Sequence, residues 1–153
     1  MDFRRKPNRM PHYDYAANGI YFVTICTENQ SCRLGTVKDT DLMQGAYVEH
    51  SQTGDLVNAA IVRLPQVFSG VMLHNFTIMP NHIHLLVELR DTTVTLSHMV
   101  NYLKGYVTRR SQEKVWQKSF YDHVVRNEKD YRIIWQYIDN NPGKWLEDRY
   151  YTM

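Results

Sequence analysis

Met79-Pro80-Asn81-His82-Ile83-His84-Leu85-Leu86-Val87 lies near the middle of a 153-residue chain and reads as a strand entered through a Pro-Asn turn. Side chains alternate across a strand with a period of two, so His82 and His84 share one face while Ile83, Leu85 and Val87 take the other. The apolar face is a core face. The paired imidazoles fit either two polar residues on a solvated strand or a metal pair, since imidazole is the commonest transition-metal ligand.

Outward from this strand, helices and strands alternate. Val71 to Ile78 predicts a strand that pairs antiparallel with the His-x-His strand, which runs as far as Leu89. Ile20 to Cys26, entered through Asn18-Gly19, is rich in β-branched and aromatic residues and predicts another strand. From Ser51 the period becomes helical: Leu56, Val57, Ala60, Ile61 and Leu64 form one stripe, and Pro65 marks an end nearby. A second helix from about Thr95 carries Leu96, Met99, Val100, Leu103, Tyr106 and Val107, with Gly105 implying close packing against a neighbour. Trp116 to Val125 reads as a short strand or extended loop. A third helix, starting near Asn127 or Glu128, carries Tyr131, Ile134, Tyr137 and Ile138 until Asn141-Pro142-Gly143 stops it. Residues 27 to 50 have room for an extra hairpin, with Arg33 to Val37 and Ala46 to Val48 both strand-like. The order predicts an α+β fold, a split βαβ antiparallel sheet with helices packed on one face.

With 43% hydrophobic residues, the chain builds one core, and a single domain over 1–153 is expected. No apolar run approaches the roughly 20 residues needed to span a bilayer, and the charged start Met1-Asp2-Phe3-Arg4-Arg5-Lys6 is not followed by a signal-type apolar stretch. A cytoplasmic protein without membrane contact follows as the expectation. Cys26 and Cys32 match neither a zinc knuckle nor a redox pair and read as free thiols. Net charge is only +2, but Arg4, Arg5, Lys6 and Arg9 cluster in the N-terminal arm, and Arg109, Arg110 and Lys114 end the second helix. Such clusters can neutralise phosphates.

The third helix carries a second constellation. Tyr137 and Asn141 are four residues apart, hence one turn apart on one face. A tyrosine hydroxyl is a possible nucleophile if something lowers the barrier its pKa near 10 imposes, and an amide oxygen one turn on is a possible third ligand beside two histidines. The alternative reading is structural: Tyr137 on the apolar stripe with Ile133, Ile134 and Ile138 as a core residue, and Asn141 as a helix terminator.

Asn81-His82-Ile83-His84-Leu85-Leu86 resembles the His-hydrophobe-His signature of the HUH single-strand endonucleases. Phe120 to Glu128, Asp130-Tyr131, and Trp135-Gln136-Tyr137-Ile138-Asp139-Asn140-Asn141-Pro142 resemble the C-terminal block of the REP-associated tyrosine transposases, relatives of the single-tyrosine transposases of small insertion sequences. Leu96 to Arg110 and Gly19 to Thr27 are similar to that family's middle helix and first strand. The resemblance implies a ferredoxin-like sheet of the HUH type. It implies that His82 and His84 bind a divalent metal, Mg2+ or Mn2+, and that Tyr137 attacks a phosphodiester of single-stranded DNA to form a 5′-phosphotyrosine. Asn141 stands where the insertion-sequence relatives carry a glutamine that completes the metal site, one methylene longer. His123 and Glu128 are further candidates for the metal or the groups around it. The implied substrate is a DNA hairpin of the repetitive extragenic palindrome kind with flanking single-stranded bases, cut and rejoined by a monomer or homodimer. Arg4, Arg5, Lys6, Arg9, Arg109 and Arg110 are the candidate DNA contacts, and exposed tyrosines with Trp116 are candidates for stacking unpaired bases. The competing expectation is a ferredoxin-like module that binds RNA or single-stranded DNA without chemistry, as RRM domains do. The absence of an RNP-like aromatic run counts against it. A replication-initiation or relaxase-type nuclease would need a longer chain.

Overall fold

Every residue of the first strand from Tyr21 to Cys26 is buried, which explains why Ile-Tyr-Phe-Val-Thr-Ile-Cys lacks the usual polar alternation: the strand is central and covered on both faces. The computed structural model describes residues 18–39 and 45–147. In chain order the elements are β1 (Gly19–Cys26), β2 (Gly35–Asp39), β3 (Ala46–His50), α1 (Gln52–Val67), β4 (Val71–Met79), β5 (His82–Leu89), α2 (Leu96–Ser111), β6 (Tyr121–Val125) and α3 (Glu128–Asn140). Short 3-10 turns at Glu28–Gln30 and Pro142–Glu147 complete them.

Four strands form one antiparallel sheet in the order β4-β5-β1-β6. β1 and β4 therefore run parallel with β5 between them, and β5 and β6 run parallel with β1 between them. These are two interleaved βαβ crossovers, the split arrangement expected from the order of elements. β2 and β3 form a separate two-stranded hairpin inside the first crossover, where extra strands were expected. Pro80-Asn81 makes the tight connection between β4 and β5, with Met79 opposite His82.

The helices begin where capping chemistry allows. Ser51 accepts from the Gly54 amide, Thr95 from the His98 amide at 3.1 Å, and Asn127 from the Asp130 amide at 2.8 Å. At Gly54 a Cβ would stand 2.0 Å from the Leu34 carbonyl oxygen, so glycine lets the start of α1 close onto the strand hairpin. α1 runs through Pro65 and stops two residues later at Val67, close to the end expected. Gly105 has a different reason from the one expected. The nearest side chain to its absent Cβ is Arg109 of the same helix, whose Nη1 would lie 2.7 Å away.

α1 and α2 cover one face of the sheet and bury Val57, Ile61, Leu64, Met99, Val100 and Leu103 against Tyr21, Val23, Ile25, Ile83, Leu85 and Val87. Trp116 joins this core at 6% exposure, so it is a buried side chain rather than a platform for stacking bases. The expectation of helices on one face holds for the two crossover helices. α3 is the third, and it lies on the opposite face, where Ile134 and Ile138 pack on Phe22 and Leu86. The cause is its place after the last strand: no crossover constrains its side, and the crossover face is already filled. Among the described residues no helix is long and apolar enough to cross a membrane.

Candidate metal and nucleophile site

The alternation of β5 does what its sequence dictates. Ile83, Leu85 and Val87 enter the core under α1 and α2, while His82, His84 and Leu86 point toward α3. On this face His84 lies between Thr24 of β1 and Thr77 of β4, and His82 between Cys26 and Met79. Both histidines are fully buried, with ring centroids 4.7 Å apart and planes at 69°. The alternative of a solvated polar strand face is therefore excluded. Nδ1 of His84 lies 2.8 Å from Thr24 Oγ1, and Nδ1 of His82 lies 2.9 Å from Asn81 Oδ1. Phe22 stacks on His84 at 5.0 Å. Burial pushes the His84 imidazole down to about 3. It also pushes His82 well below its ordinary value, with the neighbouring His84 adding to the effect. Both rings are thus neutral at pH 7, the form in which imidazole binds a metal.

α3 brings Tyr137 to this pair. The Tyr137 ring meets His84 at 5.3 Å with planes at 60°, and Phe22 edge-on at 6.0 Å. The stripe that faces the sheet runs through Tyr131, Ile134, Tyr137, Ile138 and Asn141. Ile133 stands off it at 40% exposure, contrary to the sequence reading. Asn141 is buried, its Nδ2 donates to the Tyr137 carbonyl, and its Oδ1 is buried with no hydrogen-bond partner among the described residues. Trp145, in the turn after α3, stacks over His82 at 6.4 Å and 24°. Asn141 is four residues from Tyr137 on one side and four from Trp145 on the other.

Polar contacts fix α3 along its length. Asp130 bonds His123 Nε2 at 2.8 Å, Tyr131 Oη lies 2.7 Å from His74 Nδ1, and Asn75 Nδ2 donates to Asp139 Oδ1 at 3.1 Å. His74 also reaches Glu88 at 2.8 Å. Burial acts to raise the Glu88 carboxyl, but the bonds from His74 and Arg90 more than offset it and hold the group below its usual range. The Tyr131 hydroxyl is pushed up by burial and by the Glu88 charge. None of His74, Asn75, Glu88 or Asp139 stood out in the sequence, and neither did Trp145.

His82, His84 and Tyr137 are brought together on one side of the sheet, with Asn141 buried one turn beyond Tyr137, and the other sequence candidates are not. His123 is engaged with Asp130 across β6 and α3. Glu128 is an exposed first-turn residue within 3.8 Å of Arg132. Arg109 and Arg110 lie at the end of α2, on the far face, with the Arg110 guanidinium 3.6 Å over the Tyr106 ring. Arg4, Arg5, Lys6 and Arg9 lie outside the described residues. Among the described residues no three of His, Cys, Asp and Glu stand close enough to hold a metal. A protein-held cation at the histidine pair thus needs a donor of another type; Asn81 Oδ1 is engaged with His82 Nδ1, while the buried Asn141 Oδ1 has no hydrogen-bond partner among the described residues.

The model of the IS200-like transposase family matches residues 60–141, from the second half of α1 through both histidines to Asn141. A REP-associated tyrosine transposase of Escherichia coli is 32% identical over 87% of this chain and 73% of its own length. An uncharacterised protein of Haemophilus influenzae is 31% identical over 97% of this chain and 93% of its own. In fold, the chain is similar to the solved structure of a REP-associated tyrosine transposase bound to a REP hairpin, with a TM-score of 0.67 at 22% identity over 89% of this chain and 74% of that one.

Proposed function

This chain belongs to the IS200-like transposases, among the REP-associated tyrosine transposases, and from that premise we propose that it is a metal-dependent single-stranded DNA endonuclease and strand transferase. It cuts and rejoins DNA beside hairpins of palindromic repeats, in the cytoplasm and as a single catalytic domain. The observation that carries this reading is the contact between the Tyr137 and His84 rings, a hydroxyl-bearing helix residue packed on a buried histidine pair.

The donor set fits a divalent cation, Mg2+ or Mn2+. Two neutral imidazoles with Nδ1 held by neighbours offer Nε2, and the buried Oδ1 of Asn141 is an oxygen donor with no competing hydrogen bond among the described residues. His82, His84 and Asn141 would hold the ion, whose positive charge would offset the negative charge that builds on a phosphate oxygen as the bond order changes.

The rest is done by the chain. Tyr137 Oη forms a bond to phosphorus as the bond from phosphorus to the 3′ oxygen breaks. The phenolic proton ends on the departing 3′ oxygen, leaving a 3′-hydroxyl and a 5′-phosphotyrosine. One phosphoester replaces another, so the reverse attack by a 3′-hydroxyl needs no ATP. The Phe22 and His84 rings restrict where the Tyr137 ring can lie, which lowers the orientational cost of attack. The tethers from α3 to its own sheet support a site complete within one chain, in a monomer or in a homodimer joined elsewhere.

The test is to incubate the protein with end-labelled hairpin DNA bearing single-stranded flanks, with and without Mn2+. A metal-dependent nick with protein attached to the 5′ end is expected. A hairpin that is bound but never cut would instead support the non-catalytic binding module.

A further inference from the structure

The two histidines differ in how their protons are fixed. Asn81 is fully buried in the turn before β5, and its carbonyl accepts from the Thr27 amide at 3.0 Å and the Thr27 hydroxyl at 3.1 Å. In its carboxamide, Nδ2 lies 3.2 Å from the Gln30 carbonyl oxygen, and Oδ1 lies 2.9 Å from His82 Nδ1. A carbonyl can only accept. The amide must therefore turn its NH2 to Gln30, and the opposite assignment would set oxygen against oxygen. Oδ1 then faces His82 and can only accept in turn, so the proton sits on Nδ1 of His82. The lone pair is left on Nε2.

Thr24 places no such constraint on His84. Thr24 Oγ1 is a hydroxyl that can give or take a proton, so the 2.8 Å bond to His84 Nδ1 is compatible with either tautomer. Gln30 and Asn29 bear on the same point. Both adopt left-handed backbone conformations, at φ 52° and 57°, a region that glutamine seldom occupies. Non-glycine residues held there cluster at sites where the backbone has a job. Here the job is visible: the Gln30 carbonyl is the acceptor that sets the Asn81 amide.

We propose that Asn81 is a positioning residue that fixes His82 in the Nδ1-protonated tautomer and so presets Nε2 as a metal donor before any ion binds. The inference rests on the metal reading above but is testable apart from it. Without the Asn81 acceptor, His82 would divide between tautomers and its ring would lose an anchor, and the ion would have to select the competent form.

The experiment uses the full chain with 15N-labelled histidine, treated with chelator, and reads each imidazole nitrogen by long-range 15N–1H correlation. The parent protein should show His82 protonated on Nδ1 and bare on Nε2. Asn81→Ala should give a mixture at His82 and bind Mn2+ about tenfold or more weakly by calorimetry, while Thr24→Val should alter His84 alone. Should Asn81→Ala fail to fold, Asn81→Ser serves, and the parent spectrum decides the tautomer by itself. A parent His82 carrying its proton on Nε2 would overturn the proposal, as would a folded Asn81 variant with unchanged Mn2+ affinity. If His82→Ala leaves Mn2+ affinity unchanged while the tautomer is as stated, the metal reading fails, and the positioning role for a metal with it.

Discussion

Tyr137 stands against His84 with ring centroids 5.3 Å apart, and the same His84 ring is stacked by Phe22 at 5.0 Å. A single buried imidazole thus touches both the nucleophile candidate of α3 and the central strand. Changes at the histidines should be felt in metal binding, in packing and in chemistry, in separable ways.

His82→Ala and His84→Ala should each remove measurable Mn2+ binding in calorimetry, because neither leaves more than one imidazole in the pair. His84→Ala should also lower stability by more than His82→Ala, since it removes a buried ring that packs on both Phe22 and Tyr137. Equal Mn2+ affinity in either variant and the parent would remove that histidine from the ligand set.

In chelator the protein should lose stability as pH falls. Both imidazoles are held below the ordinary value of 6.5 in the folded chain, His84 at about 3, so between these limits the unfolded chain binds more protons. Their contribution is complete above about pH 6.5 and declines as pH drops, at up to about 1.4 kcal/mol per pH unit for each ring. Urea midpoints at pH 7, 6 and 5 measure this. A double His82→Ala, His84→Ala variant should show a flatter profile over that range, and an equally steep one would place the loss elsewhere.

How far these residues were legible differs element by element. The alternation of β5 placed both histidines on one face without help, and the one-turn spacing of Tyr137 and Asn141 put them on one side of α3. Which face of the sheet α3 would cover was not legible, because no crossover fixes the side of a terminal helix. β4 hid its contribution for a different reason. Leu73 and Asn75 are two apart and would share a face in a regular strand, but the irregularity at His74 puts Leu73 with the helix-side core and Asn75 opposite Leu86 on the α3 side. A period-two reading cannot see a bulge that reverses its own phase. Trp145 was missed because a tryptophan after Asn-Pro-Gly carries no pattern that predicts a ring over His82.

Tyr131→Phe removes the hydroxyl that reaches His74 and leaves the ring. It should cost about 1–2 kcal/mol in unfolding free energy, the usual range when a partly buried hydrogen bond is deleted. If the tethers of α3 position Tyr137, the cleavage rate should fall with Mn2+ affinity unchanged. A variant that cleaves at the parental rate would make the tether structural only.

Deleting residues 1–10 should weaken hairpin binding and reduce its dependence on salt. The segment carries Arg4, Arg5, Lys6 and Arg9, and each phosphate neutralised contributes about 0.7 to 0.9 to the slope of log affinity against log salt. Arg109→Ala with Arg110→Ala should change the slope less, because Arg110 is already engaged with Tyr106 on the face away from the histidines. An unchanged slope after the deletion would remove the arm from the DNA contact.

The most direct measurement is to trap the covalent product of the parent protein and of Tyr137→Phe with hairpin DNA and Mn2+, and to locate the nucleotide by peptide mass spectrometry. The parent should carry it on Tyr137. The variant keeps the ring that packs on Phe22 and His84, and should keep its fold, Mn2+ affinity and hairpin affinity while forming no adduct. An adduct in Tyr137→Phe at near the parental rate, or a parental adduct on Tyr131, would contradict the account.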